Sequence, residues 1–264
     1  MPSLDQHIEP FLLVLARLGG LFIFAPMLGS TAVPVRARAL LALALAAALY
    51  PLVRVAGTPA GSTLPATPGL AALGLVMGFE VLIGLAVGLL AAIPIYAVQL
   101  GGHLMGQQIG LGLAGVYNPA LETESDALGE LMLYLAIAAF IALGGLENLF
   151  FALARTFEGL PPGAAAGLAP PLDLALALLS SGFELALRVA APVLGILMLE
   201  TIATGFLMKT IPQINILSIG FAIKIVLGLA ALIAGLAVVR EAAGEELLAA
   251  GRELLSWASG PLTE

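Results

Sequence analysis

Long apolar runs, not alternating polar and apolar positions, organise this chain. They cover residues 12–27, 39–53, 70–104, 127–157, 172–208 and 216–239. A helix needs about 20 apolar residues to cross a bilayer, so the pattern predicts membrane-spanning helices. As one helix, the run 70–104 would be ~52 Å long against a hydrocarbon core of ~30 Å, so it bends at Pro94 or projects beyond the membrane. The run 172–208 is also too long for one flat crossing. The run 39–53 is short, and either starts before Arg36 or does not cross fully. Pro26, Pro94 and Pro192 mark kinks. Segments 54–69 and 158–171 are rich in Pro and Gly and read as loops, and 209–215 (KTIPQIN) reads as a tight polar turn. In the tail, 240–260, Leu247, Leu248, Leu254, Leu255 and Ala258 fall near helical spacing opposite Glu241, Glu245, Glu246, Arg252 and Glu253. This predicts an amphipathic C-terminal helix, with Trp257 suited to an interface. The expected fold class is all-α: a polytopic membrane protein of about six long apolar helices arranged as hairpins, one integral membrane domain over 1–264.

Composition agrees. The 264 residues are 61% hydrophobic and 10% charged, against about 45–50% and about 25% in soluble domains. The absence of cysteine excludes disulfides, thiolate metal sites and thiol chemistry. A net charge of −7 argues against nucleic-acid binding. The first ten residues carry Asp5 and Glu9 and no basic residue, so the first run reads as a retained span and not as a cleaved signal. Arg36 and Arg38 place the first connection in the cytoplasm by the positive-inside rule, and alternation then puts both termini outside.

The stretch 101–119, GGHLMGQQIGLGLAGVYNP, stands apart. Gly102, Gly106 and Gly110 fall four apart, giving one bare helix face where another backbone can approach. Gly112, Gly115 and the Asn118-Pro119 pair then crowd together, so the helix is expected to break. Gln107 and Gln108 add polar groups that lipid penalises. Irregular polar backbone between apolar helices is tolerated only against protein or a water-filled cavity. Two readings stay open: a packing face followed by an ordinary loop, or a moving, pore-lining loop.

Catalytic material is sparse. His7 and His103 are far apart, without an obvious carboxylate neighbour, and HExxH, GxSxG and phosphate-loop motifs are absent. No catalytic residue, metal site or cofactor is expected. The better clue is the ionisable residues inside apolar runs, which are expected to be buried: Glu80, Glu147, Glu184, Arg188, Glu200 and Lys224. Charges there usually face protein or water. Glu184 and Arg188, four apart, can pair along one helix face. Structural ion pairs between helices and a hydrated channel wall both account for the set.

Several stretches, in order, resemble one family. ARLGGLFIFAPMLGSTAVPVRARALLALALAAALYP (16–51) is similar to the N-terminus of the FliR/SctT family of type III export-gate membrane proteins. GFEVLIGLAVGLL (78–90) resembles its Glu-x-x-x-Gly run, and 101–119 its glycine-rich loop. FIALGGLENLFFALARTFEGLPPG (140–163) resembles its fourth helix and following loop, and KTIPQINILSIGFAIKIVLGL (209–229) its Pro-Gln-x-Asn turn and last helix. Asn118, Glu147 and Lys209 depart from the Asp, His and Arg common in the family.

The resemblance implies a subunit of the flagellar protein export gate, assembling with FliP-like, FliQ-like and FlhB-like membrane subunits into a helical closed ring. Unfolded protein substrates pass through its centre. It implies a multi-pass protein of the bacterial inner membrane at the flagellar basal body, partly raised above the bilayer, with no enzymatic activity. A plug-like loop is expected at 101–126, carried by Gly102, Gly106, Gln107, Gly110, Gly112, Gly115, Asn118 and Pro119. Pro212, Gln213 and Asn215 would lie at the cytoplasmic entrance. The alternatives are an injectisome gate subunit, a small-solute secondary transporter and an intramembrane enzyme.

Overall fold

The computed structural model describes residues 5–29, 33–55, 70–111, 127–164, 172–210 and 220–235, with isolated positions in the C-terminal tail. Regular structure among them is helical, as the apolar runs require. The elements are α1 (Asp5–Phe24), α2 (Val35–Val55), α3 (Leu70–Ile109), α4 (Ala127–Ala142), α5 (Gly145–Gly159), α6 (Leu172–Thr210) and α7 (Gly220–Gly235). The amphipathic helix expected at 240–260 lies almost wholly outside the described residues.

The expected count of about six long spans is loose. Among the described residues, α1, α3 and α6 contain stretches long and apolar enough to cross a membrane, and α4 with α5 makes a fourth if taken as one broken span. The run 127–157 is not one helix because Gly144 adopts a left-handed conformation (φ 71°), which ends α4 and starts α5. α7 is a shorter apolar helix. α2 begins ahead of Arg36, at Val35, and its 21 residues include both arginines of the first connection. α3 and α6 stay single elements past Pro94 and Pro192, at 40 and 39 residues, or ~60 Å each.

The chain falls into two compact units, 1–93 with 141–175 and 248–264, and 94–140 with 176–247. In the first, α1 and α2 pair as a hairpin. The His7 ring nitrogen Nδ1 lies 2.9 Å from the Tyr50 hydroxyl, and Phe11 meets Tyr50 edge-on at 5.8 Å. Among its described side chains, α2 buries only a narrow alanine stripe, Ala42 and Ala46. α1 crosses α3 through Gly20, Gly84 and Gly88. A Cβ at Gly84 would fall on the Arg17 carbonyl, one at Gly20 on the Val81 carbonyl, and one at Gly88 would lie 2.7 Å from the Leu21 oxygen. Only bare glycine permits so close a crossing.

In the second unit the later part of α3 packs between α4 and α6. A Cβ at Gly101 would lie 2.9 Å from the Ala186 oxygen, and one at Gly102 would lie 2.7 Å from the Leu128 oxygen. α6 buries Leu185, Ala186, Val189, Ala190, Val193 and Leu197 along one face. α7 meets α3 where Gly228 faces Ile109, and meets α6 where Gly235 faces Pro192.

Candidate functional site

The glycine-rich segment opens as helix and closes at a defined cap. Gly102 and Gly106 are both buried within α3. For Gly102 the packing reading holds, since its bare face receives α4. Gly110 is the first residue past the helix, with φ 91°. Its N–H donates to the Gln107 carbonyl and the Leu111 N–H to the Gly106 carbonyl, each at 3.1 Å. This reciprocal pair is the Schellman closure, whose left-handed position favours glycine. The expected break therefore falls at Gly110. Gln107 is exposed, and its side-chain amide nitrogen lies 2.7 Å from His103 Nε2 one turn back. Gly112, Gly115, Asn118 and Pro119 lie outside the described residues, as do Pro212, Gln213 and Asn215 of the polar turn.

The ionisable residues divide sharply. Glu80 is fully buried on α3, paired with Arg17 of α1, whose side chain is also fully buried. Arg17 Nε donates to Glu80 Oε2 at 2.6 Å, Nη1 to Thr156 Oγ1 at 3.0 Å and Nη2 to the Leu160 carbonyl at 2.9 Å. The Gly163 N–H donates to the other Glu80 oxygen at 2.9 Å. The guanidinium carbon sits 4.1 Å from the centroid of the Phe157 ring. The Thr156 hydroxyl itself donates a hydrogen bond to the Leu153 carbonyl at 2.6 Å. One ion pair thus ties α1, α3, α5 and the turn 160–163. The fork of the guanidinium fits this task, offering several donors in one plane. An ion pair out of water needs such additional hydrogen bonds to be tolerated.

Glu200 is also buried, on α6, where Thr204 Oγ1 donates to its Oε1 at 2.7 Å. Lys224 on α7 is half-buried. Glu184 and Arg188 depart from the expectation of burial. Arg188 Nη2 lies 3.6 Å from Glu184 Oε1, and their side chains are 54% and 75% exposed for Arg188 and Glu184. They sit on the face of α6 opposite its buried stripe. Because α6 is apolar nearly all round, the sequence could not say which face is inside. Glu147 is exposed as well, in the first turn of α5.

Sequence reasoning missed the role of Arg17. A signal was available: one lone cation in the first span, one lone anion in the third, and glycines flanking both, Gly20 beside Arg17 and Gly84 beside Glu80. Two isolated opposite charges in apolar helices have each other as the cheapest partner. Among the described residues no three acidic or histidine side chains converge as metal ligands.

A profile of the family described as bacterial export proteins, family 1, matches residues 8–249. The flagellar biosynthetic protein FliR of Caulobacter vibrioides is 30% identical over 240 residues, covering 89% of this chain and 93% of the relative. FliR of Escherichia coli K12 is 30% identical over 231 residues, covering 86% and 82%. The secretion system apparatus protein SsaT of Salmonella typhimurium is 28% identical over 162 residues, covering 61% and 62%. The chain belongs to the bacterial export proteins, family 1.

Proposed function

We propose that this member of the bacterial export proteins is a non-enzymatic subunit of the flagellar type III export gate, the membrane channel through which unfolded flagellar proteins leave the cell. The observation that carries this reading is end-to-end similarity to two flagellar biosynthetic proteins over 86–89% of the chain. An injectisome gate is the second reading, favoured by the match to SsaT. That match spans only 61% of the chain, so the flagellar assignment is the better supported.

The gate is assembled with FliP-like and FliQ-like subunits and an FlhB-like subunit in the inner membrane. Two features support a protein-covered surface. α6 runs ~58 Å against a hydrocarbon core of ~30 Å, so one end lies outside lipid. Leu176, Leu179, Phe183 and Leu187 are exposed at its N-terminal end, and Ile202, Phe206, Leu207 and Met208 at its C-terminal end. Whichever end leaves the bilayer brings large apolar side chains that water disfavours. If the N-terminal end stays in lipid, the exposed Glu184–Arg188 pair needs polar cover instead.

Within the segment 101–126, Gly101 and Gly102 hold the root against α6 and α4, and the part that follows Gly110 acts as the plug, hinged at Gly110. There, a left-handed cap ends the helix, and the glycine backbone allows the following chain to swing aside at low torsional cost. The turn carrying Pro212, Gln213 and Asn215 lies at the cytoplasmic entrance. The test is native mass spectrometry of the tagged chain, co-expressed with the hydrophobic products of neighbouring genes and extracted in mild detergent. One copy held with several copies of two other membrane proteins is expected. A lone monomer or a plain homodimer overturns the reading.

A further inference from the structure

Among the described helices, α5 is the one whose exposed face is mostly polar, with Phe151 its one large apolar side chain. Glu147, Asn148, Phe151, Arg155 and Glu158 are exposed, and their spacing places them in one stripe. The stripe runs ~20 Å along the helix. Its single aromatic residue, Phe151, is half exposed and carries a cation on one side, with the Arg155 guanidinium carbon 5.0 Å from the ring centroid. Arg155 Nη1 pairs with Glu158 Oε2 at 2.7 Å, both side chains about half exposed. The exposed positions of α4, just before it in the chain, are mostly apolar and include Leu131, Tyr134, Leu135 and Ile141.

α5 cannot roll over to hide this stripe. Its other face, Leu149, Ala152, Leu153, Thr156 and Phe157, is buried. Thr156 and Phe157 hold the Arg17 guanidinium by hydrogen bond and ring contact. Rotation would strip a buried cation of both partners. Lipid cannot solvate the charged stripe, although α4 and α5 together are apolar enough to form one broken span. The stripe therefore faces water or another polar surface. Its charges alternate in sign and are partly paired with each other, so it offers no strong trap for a chain of either charge. A passage for many different sequences needs that property.

We infer that the stripe Glu147–Asn148–Phe151–Arg155–Glu158 is a wall of the water-filled route, passed by an extended polypeptide in transit. This rests on the export-gate reading and deepens it by assigning the surface that meets the substrate.

The chain contains no cysteine, so single-cysteine variants report without a background to remove. Asn148→Cys and Glu158→Cys on the stripe, with Phe151→Cys as a third position, are compared with Leu135→Cys on α4. All are expressed with the full secretion apparatus in cells lacking the native copy. The probe is a membrane-impermeant, negatively charged maleimide, applied with and without a substrate fused to a tightly folded domain that stalls in the gate. The stripe positions are expected to react at least ~10-fold faster than Leu135→Cys, because thiolate formation needs water, and to be protected by the stalled substrate. Reaction at the stripe without protection places it in water outside the path and overturns the inference. No reaction at any of the three positions places the stripe against another subunit and also overturns it. Motility of the same strains separates the two levels. Motile strains with a negative labelling result leave the gate reading standing and remove only the stripe. Failure of the unmodified gene to restore motility or to co-assemble removes the gate reading itself.

Discussion

Two regions of α3 solve one packing problem with different chemistry. In the first unit, α1 crosses α3 through Gly20, Gly84 and Gly88, and the crossing is pinned by the buried Arg17–Glu80 pair. In the second, Gly101 and Gly102 receive α6 and α4 with no ionisable side chain among the atoms they meet. Bare glycine lets backbones approach but does little to oppose sliding or rotation. An ion pair bound to Thr156, Leu160 and Gly163 allows one register only. The difference teaches that the first crossing fixes register as well as close approach, whereas the second relies on close approach alone.

Breaking the pair gives the largest expected effect. Arg17→Met leaves the buried Glu80 carboxylate with the Gly163 N–H alone, and loss of one partner of a buried pair costs ~3–5 kcal/mol. Thermal unfolding in detergent should show a large fall in midpoint. The double variant Arg17→Met with Glu80→Leu should recover most of that loss, because well-packed apolar replacements of buried pairs are often neutral. It should still loosen the turn 160–163, read as faster amide hydrogen exchange at Gly163. If the double variant recovers stability and leaves Gly163 protected, the pair does not anchor the turn.

Comparing the glycines sharpens the contrast. Gly84→Ala drives a methyl onto the Arg17 carbonyl, and Gly102→Ala brings one to 2.7 Å from both the Leu128 oxygen and Met132 Cγ. Overpacking of this kind costs ~1–3 kcal/mol. Gly84→Ala should be the worse, since its methyl falls directly on backbone of a helix held by the ion pair, whereas at Gly102 the backbone stands further off and Met132 is flexible. Gly19→Ala and Gly78→Ala meet nothing within 4 Å. They should be neutral or mildly stabilising, as alanine exceeds glycine in helix propensity by up to ~1 kcal/mol. Equal effects at all four positions would remove the distinction between crossings.

How much of this was legible beforehand follows from which signals are local. Apolar run length marked where the described helices lie, though not that 127–157 holds two, and Gly110 with its crowd of following glycines marked the end of α3. The break at Gly144 was hidden because its flanks, Leu143 and Gly145–Leu146, continue an apolar run. Glu80 stood out as a charge in an apolar helix, but its partner is 63 positions away in sequence, and no periodicity links the two. Glu184 and Arg188 were expected inside because a helix apolar on every side gives no vote for its buried face. The stripe on α5 was in principle readable, since among the described helices that one separates polar from apolar faces most clearly. Its four-residue rhythm was masked by the longer run around it.

Gly110 tests the proposed plug at a smaller energy. Its φ of 91° lies where a side chain is disfavoured, at ~1–2 kcal/mol for a non-glycine residue. Gly110→Ala should lower the unfolding midpoint only slightly while raising ion leakage through the assembled gate, because the strain falls at the root of the segment that closes it. Gly110→Leu should raise leakage further and reduce secretion. Unchanged leakage and secretion for Gly110→Leu would remove Gly110 from the closing device.

The smallest expected effect in the isolated chain belongs to Glu184 and Arg188, and it is informative because it is small. Their pair is exposed, at 3.6 Å, and surface pairs contribute ~0–1 kcal/mol. Glu184→Gln with Arg188→Gln should leave the unfolding midpoint of the purified chain nearly unmoved, in contrast to Arg17→Met. In the assembled gate the balance changes. On the proposed reading the exposed face of α6 is covered there by a neighbouring subunit, and charges that lose water depend on whatever the neighbour supplies. Retention of the doubly neutralised chain in the complex, measured by native mass spectrometry, should fall well before its own stability does. Full retention would mean that this pair faces water in the assembly, and the cover over α6 would then rest on its leucines and phenylalanines alone.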